Sequence, residues 1–377
     1  MQDTRAATNP LYGPNRLKLG TFGTNVSNGC AISTAPEAFE TSWPNTLAIA
    51  RAADALGLEA LVPVARWKGF GGETNFNGTS FETYTWAAGI AQATTRAAVF
   101  TTSHVPTVHP VMAAKQATTV DHISGGRFAL NIVCGWFTPD FDMFGQTVME
   151  HDLRYDYAAE WIEIMKLLWT SEEEFDYEGK FLRVKKGTSR PHPIQQPFPP
   201  LMNAGSSGKG QHFAAKYSDM AFIHLDPTDL EKSKAHIESY RRLAREEYGR
   251  EIQIWCNAHV TQRATQKEAE DYVTWFAGEK GDDAALDNML RIQNIEMQYM
   301  VRERVDAFRF ALKRGWGGFP LIGTAEQIVD KIAMLSKLGV DGMLLNWIDY
   351  RDGLERWKTV MPMLDQAGLR GKARVTA

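Results

Sequence analysis

Three stretches of the chain carry polar side chains whose types and spacing could do chemistry. In the first, Asn131 lies in the middle of the apolar run RFALNIVC at 127–134. A buried amide needs hydrogen-bond partners, which neighbouring strands, water or a ligand could supply. Side chains alternate along a strand, so Asn131 shares a face with the small residues Ala129 and Val133. This pattern favours a structural role and a ligand-binding role about equally.

The second stretch is the turn Gly-Ser-Ser-Gly at 205–208, between the apolar run PPLMNAG and the helical pattern GQHFAAKYS. Backbone N–H groups at the start of a helix lie at the positive end of its dipole and form a phosphate site. The hydroxyls of Ser206 and Ser207 would add donors, although an ordinary serine cap fits the same spacing. The GxxxxGK[ST] spacing of a P-loop is absent.

The third stretch, HDLRYDY at 151–157, begins a long helical pattern. We expect Asp152 to cap this helix and Arg154 and Tyr155 to lie in its first turn. Arg154 there could bind an anionic ligand, but the pattern alone favours a solvated helix face. In the run IWCNAHV, His259 shares a face with Asn257, and a histidine in such a strand is more often a core residue than a catalytic one.

Motif searches exclude several classes of chemistry. The chain has no HExxH or CxxC pattern, so we expect no metal site. It has no GxSxG elbow of a serine hydrolase. The run GFGG at 69–72 is not the GxGxxG fingerprint, so we expect no dinucleotide site of its own.

The elements that must hold these residues alternate between short β-rich runs and amphipathic stretches. The eight strand candidates are 18–23, 59–65, 97–103, 127–134, 200–205, 220–225, 254–260 and 342–347. Alternation of this kind predicts a parallel sheet, and right-handed crossovers close it most simply as an α/β fold of the (β/α)₈ TIM-barrel type. An open doubly wound sheet is the alternative. In a barrel, the loops at the carboxyl ends of the strands form the active site.

Three stretches are longer than ordinary connections, namely 136–153, 171–199 and 280–323. Long loops in compact domains are commonly functional, so we expect insertions at the carboxyl face of the barrel. The second contains FDYEGKFLRV, which predicts a small hairpin. We predict a flexible N-terminal arm over residues 1–16 and a single barrel domain over 17–377.

Composition limits the location and the partners. The net charge is −4, with a pI near 6.2, and this acidic balance favours no nucleic-acid partner. No apolar run is long enough for a membrane span, so we expect no membrane partner. Three widely spaced cysteines, Cys30, Cys134 and Cys256, fit a reducing cytoplasmic location without disulfides.

Four motifs in order carry a family resemblance. They are DHISGGRFALNIVCGW, EHDLRYDYAAEW, IQQPFPPLMNAGSS and GVDGMLLNWIDYRDGLE. Over about residues 17–368 the chain resembles the bacterial luciferase-like flavin-dependent monooxygenases. Within them it is most similar to the alkanesulfonate, dimethyl sulfone and pyrimidine branches.

The resemblance implies a luciferase-like barrel that binds reduced FMN (FMNH₂) at the carboxyl ends of its strands. It implies a two-component oxidoreductase that uses O₂ as co-substrate to oxygenate and cleave a small organic molecule. A separate NAD(P)H-dependent flavin reductase would supply the cofactor, which agrees with the missing dinucleotide fingerprint. The resemblance also implies a homodimer or homotetramer. Three alternatives remain: an F420-dependent oxidoreductase on the same barrel, a flavin-binding protein without turnover, and a plain ligand-binding barrel.

Site residues follow from the resemblance, position by position. Those implied to bind the cofactor are Ala65, Arg66, Thr102, Asn131, Asp140, Arg154, Tyr155, Ser206 and Ser207. Those implied to act in catalysis are Thr102, Asn131, His259 and Arg314, with Arg314 on a lid formed by the 280–323 insertion.

Two departures from the alkanesulfonate branch bear on the substrate. Asn257 stands where that branch has an arginine, and Lys68 stands where it has a cysteine. A sulfonate needs charge-assisted partners, so the loss of one cation weakens that assignment. The aromatic residue after Cys134-Gly135 and the GFGG run favour the sulfone or N-heterocycle classes.

Overall fold

The computed structural model describes residues 3–294 and 301–371, which form an α/β barrel surrounded by helices. The strands are β1 Lys18–Phe22, β2 Ala60–Val62, β3 Ala98–His104, β4 Phe128–Val133, β5 Phe175–Glu178, β6 Arg183–Gly187, β7 Leu201–Asn203, β8 Met220–Ile223, β9 Gln253–Gln262, β10 Phe319–Gly323 and β11 Gly342–Asn346. The helices are α1 Arg5–Thr8, α2 Trp43–Ala55, α3 Thr83–Ala93, α4 Pro110–Ser124, α5 Thr138–Met143, α6 His151–Thr170, α7 Gly208–Tyr217, α8 Leu230–Tyr248, α9 Gln266–Val273, α10 Asp283–Ile292, α11 Arg302–Gly315, α12 Ala325–Leu338 and α13 Tyr350–Gln366.

Eight parallel strands close the barrel in the order β1-β2-β3-β4-β7-β8-β9-β11 and back to β1. These are the eight strands expected from the sequence, and the closing pairs β8–β9 and β11–β1 exclude an open doubly wound sheet. The predicted (β/α)₈ barrel is therefore confirmed.

A ninth strand, β10, was not predicted. It pairs in parallel with the second half of β9, where Phe319 lies beside Ala258 and Gly323 beside Gln262. Its sequence, FPLIG, contains a proline that has no N–H to donate, so the run resembles a loop. This extra pairing places β10 beside the carboxyl-terminal half of β9 and so changes what surrounds the residues there.

The barrel interior is filled by small and apolar side chains, among them Ala129, Phe100, Trp255 and Leu344. The outward-facing residues of the same strands pack against the helices; in β4 these include Phe128, Leu130 and Ile132. The alternation expected along β4 is thus present, and the side chain of Asn131 belongs to the interior face.

Residues 3–16 pack against the amino-terminal end of the barrel. Leu11 is fully buried among the interior residues. The buried Asn9 donates its Nδ2 hydrogens to Gln195 Oε1 at 2.9 Å and to the Phe128 carbonyl oxygen at 3.2 Å. These contacts do not fit a flexible arm over 3–16, because burying an amide and an apolar side chain fixes the segment that carries them.

Side-chain caps mark the starts of several helices, and one of them differs from the expected cap. Helix α12 begins with a Thr324–Gln327 capping box. In α6, Glu150 and not Asp152 is the N-cap, because its carboxylate accepts from the N–H groups of Asp152 and Leu153. Helix α8 is capped by Asp229, whose carboxylate accepts from the Lys232 N–H.

The long stretches have regular structure of their own. Strands β5 and β6 form the expected antiparallel hairpin within 171–199. The 280–323 stretch is built from α10, α11 and β10, and residues 295–300 of the expected lid lie outside the described residues. Within residues 3–294 and 301–371, no helix combines the length and apolar character of a membrane span. In the same ranges, no group of three His, Cys, Asp or Glu side chains has the arrangement of a metal site.

Candidate active site

A cavity of about 620 Å³ opens at the carboxyl ends of the barrel strands. Side chains at or just beyond the ends of six strands line it: Phe22, Ala65, Thr102, Asn131, Asn203 and Phe222. Its volume falls in the range of cofactor and small-molecule sites. The position is the one at which barrel enzymes build active sites.

One part of the cavity, here called the phosphate end, is formed by Ser206, Arg154 and Tyr155. Ser206 is exposed, lines the cavity and immediately precedes Ser207, the N-cap of α7. The hydroxyl of Ser207 accepts from the Gly210 N–H at 3.1 Å and so caps α7 instead of lining the cavity. Gly210 is required here, because a Cβ would lie 2.7 Å from the Tyr155 hydroxyl oxygen.

Arg154 lies in the first turns of α6 and reaches back to the loop after β4. Its Nη1 donates to the Gly135 carbonyl oxygen, while its buried Nε has no protein partner. Gly135 has a φ of 94°, and a side chain there would strike the Phe141 ring. The loop therefore holds the guanidinium at the cavity with donor capacity left over, which suits an anionic ligand.

Asn131 and Thr102 occupy paired positions on β4 and β3. The Thr102 hydroxyl donates to the Pro63 carbonyl oxygen at 2.5 Å and accepts from Asn131 Nδ2 at 3.2 Å. Because the Thr102 proton is used on Pro63, the amide of Asn131 must present its Nδ2 to Thr102. Its Oδ1 is then left buried without a protein partner, as an acceptor for an N–H group of a ligand.

A buried cluster of three ionisable side chains, Arg66, His104 and Asp140, borders this region. Asp140 Oδ2 lies 3.8 Å from Arg66 Nη1 and 3.6 Å from His104 Nδ1. Burial lowers the pKa of Arg66 to about 10, against the attraction of Asp140. Burial and the charge of Arg66 lower the pKa of His104 to about 3, so its imidazole is neutral near pH 7.

Arg66 and His104 line the cavity, whereas Asp140 is fully buried behind them. Asp140 Oδ1 accepts from the N–H groups of Trp67 and Lys68 at 3.1 and 2.9 Å. Asp140 therefore does not line the cavity, where the expected direct contact with a cofactor would occur. Its carboxylate instead lies near Arg66 and accepts from the backbone N–H groups of residues 67 and 68. The sequence did not lead us to expect His104 in the site, although its position at the end of a predicted barrel strand could have indicated it.

A second part of the cavity, here called the aromatic wall, consists of Phe22, Phe222 and Trp316. The Phe22 ring lies 5.4 Å from that of Phe222, edge to face, and 6.3 Å from that of Trp316, stacked. Among the described lining residues of the whole cavity, the charged side chains are Arg66 and Arg154 alone, apart from histidines. The aromatic wall was not predicted, since its three members come from distant parts of the chain.

His259 and Arg314 do not line the cavity. His259 is fully buried, and its ring lies 5.4 Å from that of Phe276. Burial and the charge of Arg314 lower the pKa of His259 to about 3. Arg314, in the last turn of α11, donates to the Gly318 carbonyl oxygen at 2.8 Å, and burial lowers its pKa to about 10.

The structure thus places two residues of the expected catalytic set outside the lining of the cavity. A Cβ on Gly315 would lie 2.7 Å from His259 Nδ1, so the backbone of the 314–318 turn covers the histidine. The Arg314 guanidinium is hydrogen-bonded within the same turn, to the Gly318 carbonyl oxygen. Lys68 is exposed and does not line the cavity. The predicted residues that do share the cavity are Ala65, Arg66, Thr102, Asn131, Arg154, Tyr155 and Ser206.

Comparison with known proteins agrees with this geometry. A family model described as luciferase-like monooxygenase matches residues 21–342. An FMNH₂-dependent dimethylsulfone monooxygenase of Pseudomonas putida is 28% identical over 368 residues, which cover 95% of this chain and 98% of that protein. Pyrimidine monooxygenase RutA of Agrobacterium fabrum is 28% identical over 358 residues, covering 92% and 96%.

Among solved structures, DmoA from Hyphomicrobium sulfonivorans superposes with a TM-score of 0.81 at 20% identity, over 94% of this chain and 89% of that one. At this identity the likeness shows the fold alone. The family resemblance inferred from the four sequence motifs is confirmed, because the matching model spans most of the chain. The chain belongs to the luciferase-like monooxygenase family, a family of oxidoreductases.

Proposed function

We propose that this protein is an FMNH₂-dependent monooxygenase that oxygenates and cleaves a small neutral organic substrate in the cavity at the carboxyl ends of the strands. The observation that carries the proposal is a single cavity with free donors for a phosphate at one place and an unpartnered amide oxygen at another. A separate NAD(P)H-dependent flavin reductase supplies the reduced cofactor. The names of the Pseudomonas putida and Agrobacterium fabrum relatives support the reaction class.

The residues of the phosphate end fit the FMN phosphate. The N-terminus of α7 offers backbone N–H groups and the positive end of a helix dipole. Ser206 adds a hydroxyl that faces the cavity, and Arg154 adds a cation whose Nε is free. Together they bring positive charge and hydrogen-bond donors to the place proposed for the phosphate.

The residues around Asn131 fit the flavin ring. An isoalloxazine carries N–H donors when reduced, and Asn131 Oδ1 is an acceptor held in place through Thr102 and Pro63. An unsatisfied buried acceptor costs free energy, so pairing it with a ligand N–H contributes to binding. Arg66 and Ala65 border the same region.

Bound reduced FMN supplies the electrons with which O₂ places one oxygen atom in the substrate and releases the other as water. The chain contributes position and exclusion of water. The aromatic wall presents apolar surface to the reacting region, and Trp136 and Ile292 add to it. Exclusion of water of this kind protects reactive species from side reactions.

The charge of the cavity supports a neutral substrate, of the sulfone or N-heterocycle class, over a sulfonate. Asn257 lines the cavity at the position where the alkanesulfonate branch has an arginine. Arg314, the second expected anchor, is turned to Gly318. The two remaining lining cations belong to the region proposed for FMN, so a sulfonate would lack a charged partner among the described residues.

The test is product analysis with ¹⁸O₂. The protein, reduced FMN and ¹⁸O₂ are incubated with dimethyl sulfone, uracil or methanesulfonate, and the products are examined by mass spectrometry. We expect ¹⁸O in the products of a neutral compound and none from methanesulfonate. Absence of label from every compound would contradict the proposal, and hydride transfer with F420 in place of O₂ consumption would favour the F420-dependent alternative. The cytoplasmic location and the homodimer or homotetramer stay predictions.

A further inference from the structure

Trp316 has an unusual backbone conformation at the edge of the cavity. It is the C-cap of α11 with a φ of 52°, in the left-handed region that bulky residues rarely adopt. Its ring stacks on Phe22 at 6.3 Å and meets Phe76 edge to face at 6.0 Å. A strained backbone persists only where surrounding contacts determine it, and it often marks a functional position.

The contacts that fix this turn come from a chain of buried hydrogen bonds. His259 Nδ1 lies 2.8 Å from Asn346 Oδ1, and Asn346 Nδ2 donates to Asn257 Oδ1 at 2.7 Å. Asn257 Nδ2 then donates to the Gly315 carbonyl oxygen at 3.0 Å. The chain therefore runs from β9 through the end of β11 to the residue immediately before Trp316.

The direction of each bond is determined. Asn346 Nδ2 also donates to the Ala258 carbonyl oxygen at 3.1 Å, so Asn346 Oδ1 must accept from His259 Nδ1–H. His259 Nε2 then accepts from the Thr261 hydroxyl at 3.0 Å. A neutral imidazole with its proton on Nδ1 satisfies every partner, and the lowered pKa of His259 agrees with that state.

The backbone of the turn lies directly against this chain. A Cβ on Gly315 would lie 2.7 Å from both His259 Nδ1 and Asn346 Oδ1. A Cβ on Gly318 would lie 3.0 Å from Asn257 Nδ2. Glycine at both positions lets the turn approach the three polar side chains, so a change in any of them is transmitted to Trp316.

We propose that Trp316 is the specificity-determining wall of the substrate region and that His259 is a positioning residue, acting through Asn346 and Asn257 on the turn that carries it. The identity of this region as the substrate region rests on the proposed function. The positioning of the turn by His259 does not depend on the proposed function. His259 thus affects the reaction without touching substrate or cofactor.

The first test uses ¹⁹F NMR of the full chain labelled with 5-fluorotryptophan and needs neither flavin nor substrate. Trp316→Phe assigns the Trp316 resonance among those of the 11 tryptophans. We expect His259→Leu to shift or split that resonance, and the isosteric Asn346→Asp to do the same if His259→Leu fails to fold. Thr261→Val, which leaves the His259–Asn346 bond intact, is the matched control and should leave it in place. An unmoved Trp316 resonance in a folded His259→Leu or Asn346→Asp protein would overturn the positioning role.

The second test is a double-mutant cycle with the substrate found by the ¹⁸O₂ screen. We expect Trp316→Ala to raise KM about tenfold, as loss of a large aromatic contact does, and His259→Leu to raise it less, with kcat and its pH profile retained. The double variant should match Trp316→Ala, because the two residues act as one unit. Additive effects, or a changed kcat pH profile in His259→Leu, would contradict the proposal. If the wild-type protein binds no reduced FMN, the proposed function is wrong. The NMR experiment still tests the positioning role, because it needs no flavin.

Discussion

The phosphate end and the aromatic wall of the same cavity differ in how their side chains are held. At the phosphate end, donor groups are free on Arg154, near the start of α6, and on Ser206, just before the N-cap of α7. At the aromatic wall, apolar rings face the cavity, and behind them the side chains of His259, Asn346 and Asn257 are hydrogen-bonded in series.

This difference teaches where each ligand is recognised. Free donors that already face a cavity cost stability until a ligand pairs with them, so they mark the place of a charged ligand. Paired polar groups behind an apolar surface contribute shape and not charge. Under the proposed function, the chain separates the recognition of an anionic cofactor from that of a neutral substrate.

The largest effect is expected from removing the cation of the phosphate end. Arg154→Ala should weaken binding of reduced FMN about 100-fold, because charge-assisted hydrogen bonds contribute about 2–3 kcal/mol. Anaerobic titration calorimetry measures this. Lys209→Met is the matched control, since it removes an exposed cation of α7 that is paired with Asp156. An Arg154→Ala affinity within twofold of wild type would remove the distinction between the two regions.

The next effect concerns the two buried neutral histidines, His104 beside Arg66 and His259 behind the aromatic wall. Both have folded-state pKa values near 3, below the ordinary 6.5. The unfolded chain therefore binds more protons between these values, and the stability present above pH 6.5 is lost as pH falls, by up to about 1.4 kcal/mol per pH unit for each histidine. Urea unfolding at pH 7 and pH 5 measures the loss. His259→Leu and His104→Leu should each reduce the loss of unfolding free energy between pH 7 and pH 5. A variant that loses as much as wild type would show that the replaced histidine is not held neutral.

The third prediction introduces charge beside the aromatic wall. Asn257→Arg should shift the ratio of methanesulfonate to dimethyl sulfone affinity about tenfold towards the anion, since one charge-assisted pair is worth about 1.5 kcal/mol or more. Binding is measured by calorimetry on the FMN-loaded protein. Asn257→Met, of similar length without charge, should give no such shift. An unchanged ratio in Asn257→Arg would mean that charge at this place does not select the substrate.

The smallest effect tests the orientation of the Asn131 amide. Thr102→Val removes the acceptor for Asn131 Nδ2 and should weaken binding of reduced FMN about fivefold, which corresponds to about 1 kcal/mol for a neutral hydrogen bond. Thr101→Val, one residue earlier on β3, removes a hydroxyl that donates to the Thr83 carbonyl oxygen instead and is the matched control. Equal effects of the two variants would indicate general weakening of β3 and not loss of a directed acceptor.

The features that were predictable from the sequence are local. Alternation along β4 gave the inward direction of Asn131, and the Gly-Ser-Ser-Gly turn marked the start of α7. The eight barrel strands followed from apolar periodicity. Each of these signals lies within about ten residues of chain, where propensity and pattern act directly.

The missed features depend on contacts between distant segments. His259 shares a strand face with Asn257, yet the turn at 314–318 covers one and leaves the other at the cavity. Asp140 is turned away from the cavity by the backbone N–H groups of Trp67 and Lys68, more than 70 residues earlier. Nothing in the local pattern carries this information.

The most direct test of the account is an anaerobic crystal structure of the protein with reduced FMN. We predict the phosphate at the N-terminus of α7 within hydrogen-bond distance of Ser206 and Arg154, with a ring N–H donated to Asn131 Oδ1 and the aromatic wall left free for substrate. A flavin whose phosphate lies away from Ser206 and Arg154, or a cavity without flavin at saturating concentration, would contradict it.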